Sequence, residues 1–102
     1  MKEKELRRKT EILLYEIGMK INLKGYKYWI EAVKLKLLEP DISMSNLYEE
    51  IAKKFNTSDA NAERCLRKAW ESNIKYVEMR LNYSYKITNS IMLEYLVRKL
   101  EE

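Results

Sequence analysis

LYEEIAKKFNTSDANAERCLRKAWE, residues Leu47–Glu71, reads as a short helix, a tight turn and a second helix. Leu47, Ile51, Ala52 and Phe55 fall on one apolar stripe at helical spacing. Asn46 is placed to cap that first helix, with Glu49 three residues on in a capping-box spacing. Asn56 ends it, because asparagine tolerates a left-handed backbone better than most residues. Thr57 or Ser58 then caps the second helix, and Asp59 lies near its positive end. The second helix buries Ala62, Cys65, Leu66 and Ala69 and turns Asn61, Glu63, Arg64, Arg67 and Lys68 outward. Ala52 is small where that helix must cross closest. Such a pair, with a polar and arginine-bearing outer face, has the layout that enters a DNA major groove.

Reading outward, Lys2–Ile17 is predicted as a helix with Leu6, Thr10, Leu13, Leu14 and Ile17 inward and Gly18 as its stop. Met19–Lys24 connects it to a helix opened by Lys24, Gly25 and Tyr26, which runs to about Glu39 and ends before Pro40. Trp29, Ala32, Val33 and Leu37 form its inner face, and Asp41–Ser45 is a short loop. Downstream, Ser72 and Asn73 break the pattern, and Ile74, Val77 and Leu81 mark a further helix. Asn82–Ile87 is a loop or a brief extended piece. Thr88, Asn89 or Ser90 caps a last helix whose stripe is Met92, Leu93, Leu96, Val97 and Leu100. The expectation is an all-α single domain of about six helices over residues 1–102, with its helix-turn-helix at about 46–71.

Bulk properties agree and exclude several classes. With 2 glycines and 1 proline, little interrupts helix formation. A net charge of +4 permits a polyanion partner without requiring one. The excess gathers at Lys2, Lys4, Arg7, Arg8 and Lys9, and again at Lys53, Lys54, Arg64, Arg67 and Lys68. One cysteine allows no intramolecular disulfide, and Cys65 reads as a small buried hydrophobe. There is no histidine, no glycine-rich phosphate loop and no metal-spaced cluster, so no catalysis, metal or cofactor is expected. No apolar run is long enough to span a membrane and no signal peptide opens the chain, which implies a cytoplasmic protein. Most tyrosines sit at helical spacing beside apolar residues, so packing is favoured over base stacking.

The outer face of the second motif helix carries the chemistry. Arg64 and Arg67, three apart, share a face. Arginine's forked donors match O6 and N7 of guanine, while Glu63 suits the amino group of cytosine. A mixed face of this kind reads sequence, whereas a uniformly basic one only holds phosphate. Asn61, Lys68, Lys53 and Thr57 are candidates for backbone contact. Lys24 and the free N–H groups at Gly25 offer another phosphate site. The plain alternative is that Gly25 only permits a tight entry. Helix-turn-helix shapes also serve protein contacts, so an interaction module that binds a regulator or sigma factor instead of DNA is the competing reading.

IAKKFNT at Ile51–Thr57, followed by Glu63-Arg64 and then Arg67, resembles the C-terminal DNA-binding domain of the sporulation response regulator, stage 0 sporulation protein A. YEIGMKINLKGYKYWIEAV at Tyr15–Val33 resembles that domain's opening, and TNS at Thr88–Ser90 its end. The resemblance runs from about Ile12 to Leu100. It implies binding of double-stranded DNA at a TGTCGAA-like box, with Glu63, Arg64 and Arg67 contacting bases. It also implies a contact with the RNA polymerase sigma factor. A single recognition helix binds weakly, so head-to-tail self-association on adjacent boxes and a symmetric dimer on inverted half-sites both stay open. The segment between Lys68 and Thr88 is shorter than its family counterpart, so activation is not carried over. The 102 residues leave no room for the phosphate-accepting receiver domain: the sequence is either a single-domain relative or an excised fragment, and phosphorylation would not control its dimerisation if it is the whole protein.

Overall fold

The computed structural model of the protein describes residues 2–20, 24–83 and 85–102. Six helices run through them: α1 (Glu3–Glu16), α2 (Lys24–Leu38), α3 (Met44–Lys54), α4 (Asp59–Glu71), α5 (Ile74–Leu81) and α6 (Asn89–Glu101). Among the described residues there is no strand, so Asn82–Ile87 resolves to a loop apart from Ser84, which lies outside them. Residues 21–23 of the predicted connector also lie outside them.

The centre of the domain is the crossing of α2 on α4, with α3 packed on both and with α1 and α6 closing against α2. Trp29 of α2 is fully buried, and its Nε1 donates to the carbonyl of Leu66 at 2.8 Å. Indole N–H has no other way to be satisfied in a dry core, so this bond fixes the ring's orientation. Leu14, Val33, Leu47, Ile51, Leu66, Met92 and Leu96 complete the interior from all the long helices.

Local chemistry sets the helix ends. At Gly18, with φ +84°, the N–H groups of Gly18 and Met19 reach back to the carbonyls of Tyr15 and Leu14 at 3.0 and 2.9 Å, a Schellman closure of α1. Asn56 closes α3 in the same way: its φ is 53°, and the N–H of Thr57 bonds the carbonyl of Ala52 at 2.9 Å. Ser58 rather than Thr57 caps α4, its hydroxyl accepting from the N–H of Asn61 at 3.1 Å. Replacing Ser58 by alanine is expected to cost about 1 kcal/mol, roughly 5 °C in Tm, in a thermal melt followed by circular dichroism.

Three expectations need correction. Ser43, not Asn46, caps α3: its extended backbone lets the hydroxyl accept from the N–H of Asn46 at 3.1 Å, which puts Asn46 inside the first turn. Glu49 therefore makes no capping box and instead pairs with Lys53 at 3.4 Å. On α4, Cys65 is only half-buried, and Trp70, one turn beyond Leu66, takes the core position. The tyrosines divide evenly: Tyr26, Tyr28, Tyr48 and Tyr95 pack, whereas Tyr15, Tyr76, Tyr83 and Tyr85 are exposed. The exposed four lie on α1, on α5 and in the loop before α6, where little of the chain covers them.

Candidate nucleic-acid interface

α3 and α4 are joined by the four-residue link Phe55–Ser58 and pack directly on each other. Leu47, Ile51 and Ala52 of α3 and Ala62, Leu66 and Ala69 of α4 are buried, so the side of α4 turned away from α2 and α3 is left outward. That face carries the three residues expected to read bases. Arg64 is exposed, and Glu63 and Arg67 are half-buried at its edge.

Two hydrogen-bond systems order these side chains. In the first, Thr57 Oγ1 accepts from Asn61 Nδ2 at 2.7 Å, and Asn61 Oδ1 accepts from Arg64 Nη2 at 2.7 Å. The link residue thus steers Arg64 through Asn61, so Thr57 and Asn61, expected as backbone contacts, are tied to a base-reading candidate. In the second, Arg67 Nε donates to Glu63 Oε2 at 3.1 Å and its Nη1 to Glu71 Oε2 at 3.3 Å. The hydrogen bond it donates to Glu63, the charge of that carboxylate and then Glu71 hold the Arg67 guanidinium still more firmly protonated than usual.

Behind this face lies a groove of about 490 Å³ between α4, the start of α3 and the start of α6. Its lining includes Tyr48, Glu63, Arg67, Lys86, Asn89 and Ser90. The sequence marks Asn89 only as one of three candidate caps of α6, a part that Thr88 plays with its hydroxyl on the N–H of Ile91 at 3.2 Å. Asn89 is instead a buried hub. Its Oδ1 accepts from Trp70 Nε1 at 2.8 Å, and its Nδ2 reaches Tyr48 Oη at 3.2 Å, the Glu63 carbonyl at 3.2 Å and Glu63 Oε2 at 3.4 Å. Burial pushes the Tyr48 hydroxyl above its ordinary range despite the Asn89 bond, so it stays a neutral phenol. Nothing in the linear pattern points to this role, because a polar residue before an apolar stripe reads as a cap.

The other candidates stand in different places. Lys53 and Lys68 are exposed, paired loosely with Glu49 and Glu71 at 3.4 and 3.9 Å. Lys24 is exposed at the start of α2, but Gly25 beside it is buried against α4. Of the basic run of α1, Arg7 pairs with Glu11 at 3.4 Å and Lys9 with Glu5 at 3.2 Å on the same helix.

A small helical domain built on a helix, a tight turn and a helix with an ordered Glu-Arg-Arg outer face has the layout of the helix-turn-helix class. The sequence model of the family described as "Sporulation initiation factor Spo0A C terminal" matches residues 10–100. The chain belongs to this family, a family of DNA-binding domains of the sporulation regulator and not of enzymes. Among the described residues, no helix is long and apolar enough to cross a membrane.

Proposed function

We propose that the domain binds duplex DNA sequence-specifically, seating α4 in the major groove of a TGTCGAA-like box. Glu63, Arg64 and Arg67 contact bases, while Lys24, the N–H of Gly25, Lys53, Thr57, Asn61 and Lys68 position the phosphate backbone. The observation that carries this is the ordered outer face of α4: each of its three base-reading side chains is held by a neighbour rather than left to wander. Pre-ordered side chains lose less entropy on binding, which favours specific over merely electrostatic association.

The test is fluorescence anisotropy with a duplex carrying TGTCGAA beside a scrambled duplex, across a salt series. A preference for the box that persists as salt rises supports base readout, whereas equal and steeply salt-dependent binding to both sinks it. Activation is a separate property. The short segment between α4 and α6 leaves less surface for a sigma factor than the full family pattern, so the domain is expected to occupy boxes without strong activation. A reporter driven by such boxes measures this, and strong activation by this chain alone overturns it.

Glu71 provides a finer check. It neutralises Arg67 on the side that must meet the groove. Glu71→Gln is expected to tighten DNA binding roughly twofold at low salt, with the gain fading as salt rises, because an exposed pair of this kind is weak. Unchanged affinity at low salt would show that the pair does not compete with DNA.

A further inference from the structure

We infer that Asn89 is a positioning residue for base readout, fixing the Glu63 carboxylate from the first turn of α6. The inference rests on the reading of α4 as the base-reading helix. Its physical basis is how the Asn89 amide is used. Indole nitrogen only donates, so the oxygen of the amide must face Trp70 Nε1 at 2.8 Å, and its NH2 must face Glu63. The amide orientation follows from chemistry. With Tyr48 Oη and the Glu63 carbonyl already within reach of that NH2, the side chain would be satisfied without the carboxylate. It nevertheless also approaches Glu63 Oε2 at 3.4 Å.

Glu63 Oε2 therefore takes donors from two helices, Asn89 of α6 and Arg67 of α4 at 3.1 Å. Glu63 Oε1 has no hydrogen-bond partner among the described residues, so its lone pairs are available to a base. A free glutamate on a helix surface samples many rotamers, and fixing it on binding costs side-chain entropy. A carboxylate held by one oxygen presents the other in a defined place. Such an acceptor attracts the cytosine amino group and repels the O4 of thymine and the O6 of guanine. Asn89 is 5% exposed, too buried to meet a base itself, so it acts through Glu63.

The experiment compares affinities for a TGTCGAA duplex and for one whose fourth pair, C·G, is changed to T·A, using the full chain. Wild type prefers the first. Asn89→Ala is expected to lower that preference about tenfold while leaving affinity for a scrambled duplex unchanged. In a Glu63→Ala background the same change should have no further effect on preference. Trp70→Phe removes the indole donor but leaves Tyr48 Oη and the Glu63 carbonyl to hold the Asn89 NH2 toward Glu63, so it should lower Tm and keep most of the preference. If Asn89→Ala does not fold, Asn89→Asp replaces it: the shape and the oxygen for Trp70 remain, but a charge meets Glu63 and the preference falls.

Undiminished preference in a folded Asn89 variant overturns the inference and leaves the reading of α4 standing. A loss of preference in Trp70→Phe equal to that in Asn89→Ala also overturns it, because Asn89 would then matter only to packing. A wild type without preference overturns the reading of α4 and this inference together.

Discussion

Arg64→Glu combined with Arg67→Glu is expected to abolish preferential binding to the TGTCGAA duplex and to leave the fold intact. Both side chains lie on the outer face of α4, clear of the crossing with α2 and α3. Each substitution removes two units of charge, so the pair takes the chain from +4 to 0. Phosphate attraction thus falls along with base recognition. Losing two forked guanine donors should by itself weaken binding at least a hundredfold, and the new carboxylates add repulsion. The carboxylate replacing Arg67 would stand one turn from both Glu63 and Glu71 and repel them, but at an exposed site this is a small cost and is screened by salt. The expected result is no detectable box preference by anisotropy, with a helical circular-dichroism spectrum and a Tm within a few degrees of wild type.

The same variant separates the two functional readings. If the domain works by holding a regulator or a sigma factor, its contact need not use α4. Exposed Tyr15, Tyr76 and Met79 offer apolar surface on α1 and α5. Pull-down with that partner should then survive the double reversal while DNA binding is lost. If wild type never binds DNA and a partner interaction resists the reversal, the interaction module replaces the DNA-binding reading.

Much of this architecture is legible in the sequence because it rests on local rules. Apolar spacing places the helices, Pro40 ends α2, and Asn56 and Gly18 occupy the left-handed positions that their chemistry suits. The misplacement of one cap, Asn46 for Ser43, arises because both residue types cap well and only the backbone conformation decides between them. What stays hidden depends on distant pairs. Asn89 lies 26 residues from Glu63 and 41 from Tyr48, and no spacing rule joins them. Likewise Trp70 escapes notice because its partner is that same asparagine. The outer face of α4 is legible as a set of residues, but not the ordering of that set. That Thr57 steers Arg64 through Asn61, and that Arg67 is shared by two carboxylates, are facts of side-chain geometry.

Gly25→Ala is expected to lower Tm by roughly 10 °C, and its mechanism decides what Gly25 is for. A Cβ built there would sit 2.2 Å from the backbone carbonyl oxygen of Cys65 and 2.7 Å from the Cβ of Ala69. The first contact is with the backbone of a helix that also packs on α3, so it cannot give way as a flexible side chain would. α2 must move off α4 instead, stretching the bond from Trp29 Nε1 to the Leu66 carbonyl in the same interface. Overpacking of this kind costs about 3 kcal/mol, and the better helix propensity of alanine returns no more than about 1, leaving a net loss of about 2 kcal/mol. Alanine keeps the backbone N–H, so a phosphate held at this helix start would keep its donor. DNA affinity of the folded fraction should therefore fall only as far as α4 is displaced. Lys24→Ala supplies the contrast: Tm is expected to hold while affinity for box and scrambled duplex falls equally. Should Gly25→Ala melt like wild type and still lose DNA binding, the glycine serves close approach of a phosphate, and the packing account of it is wrong.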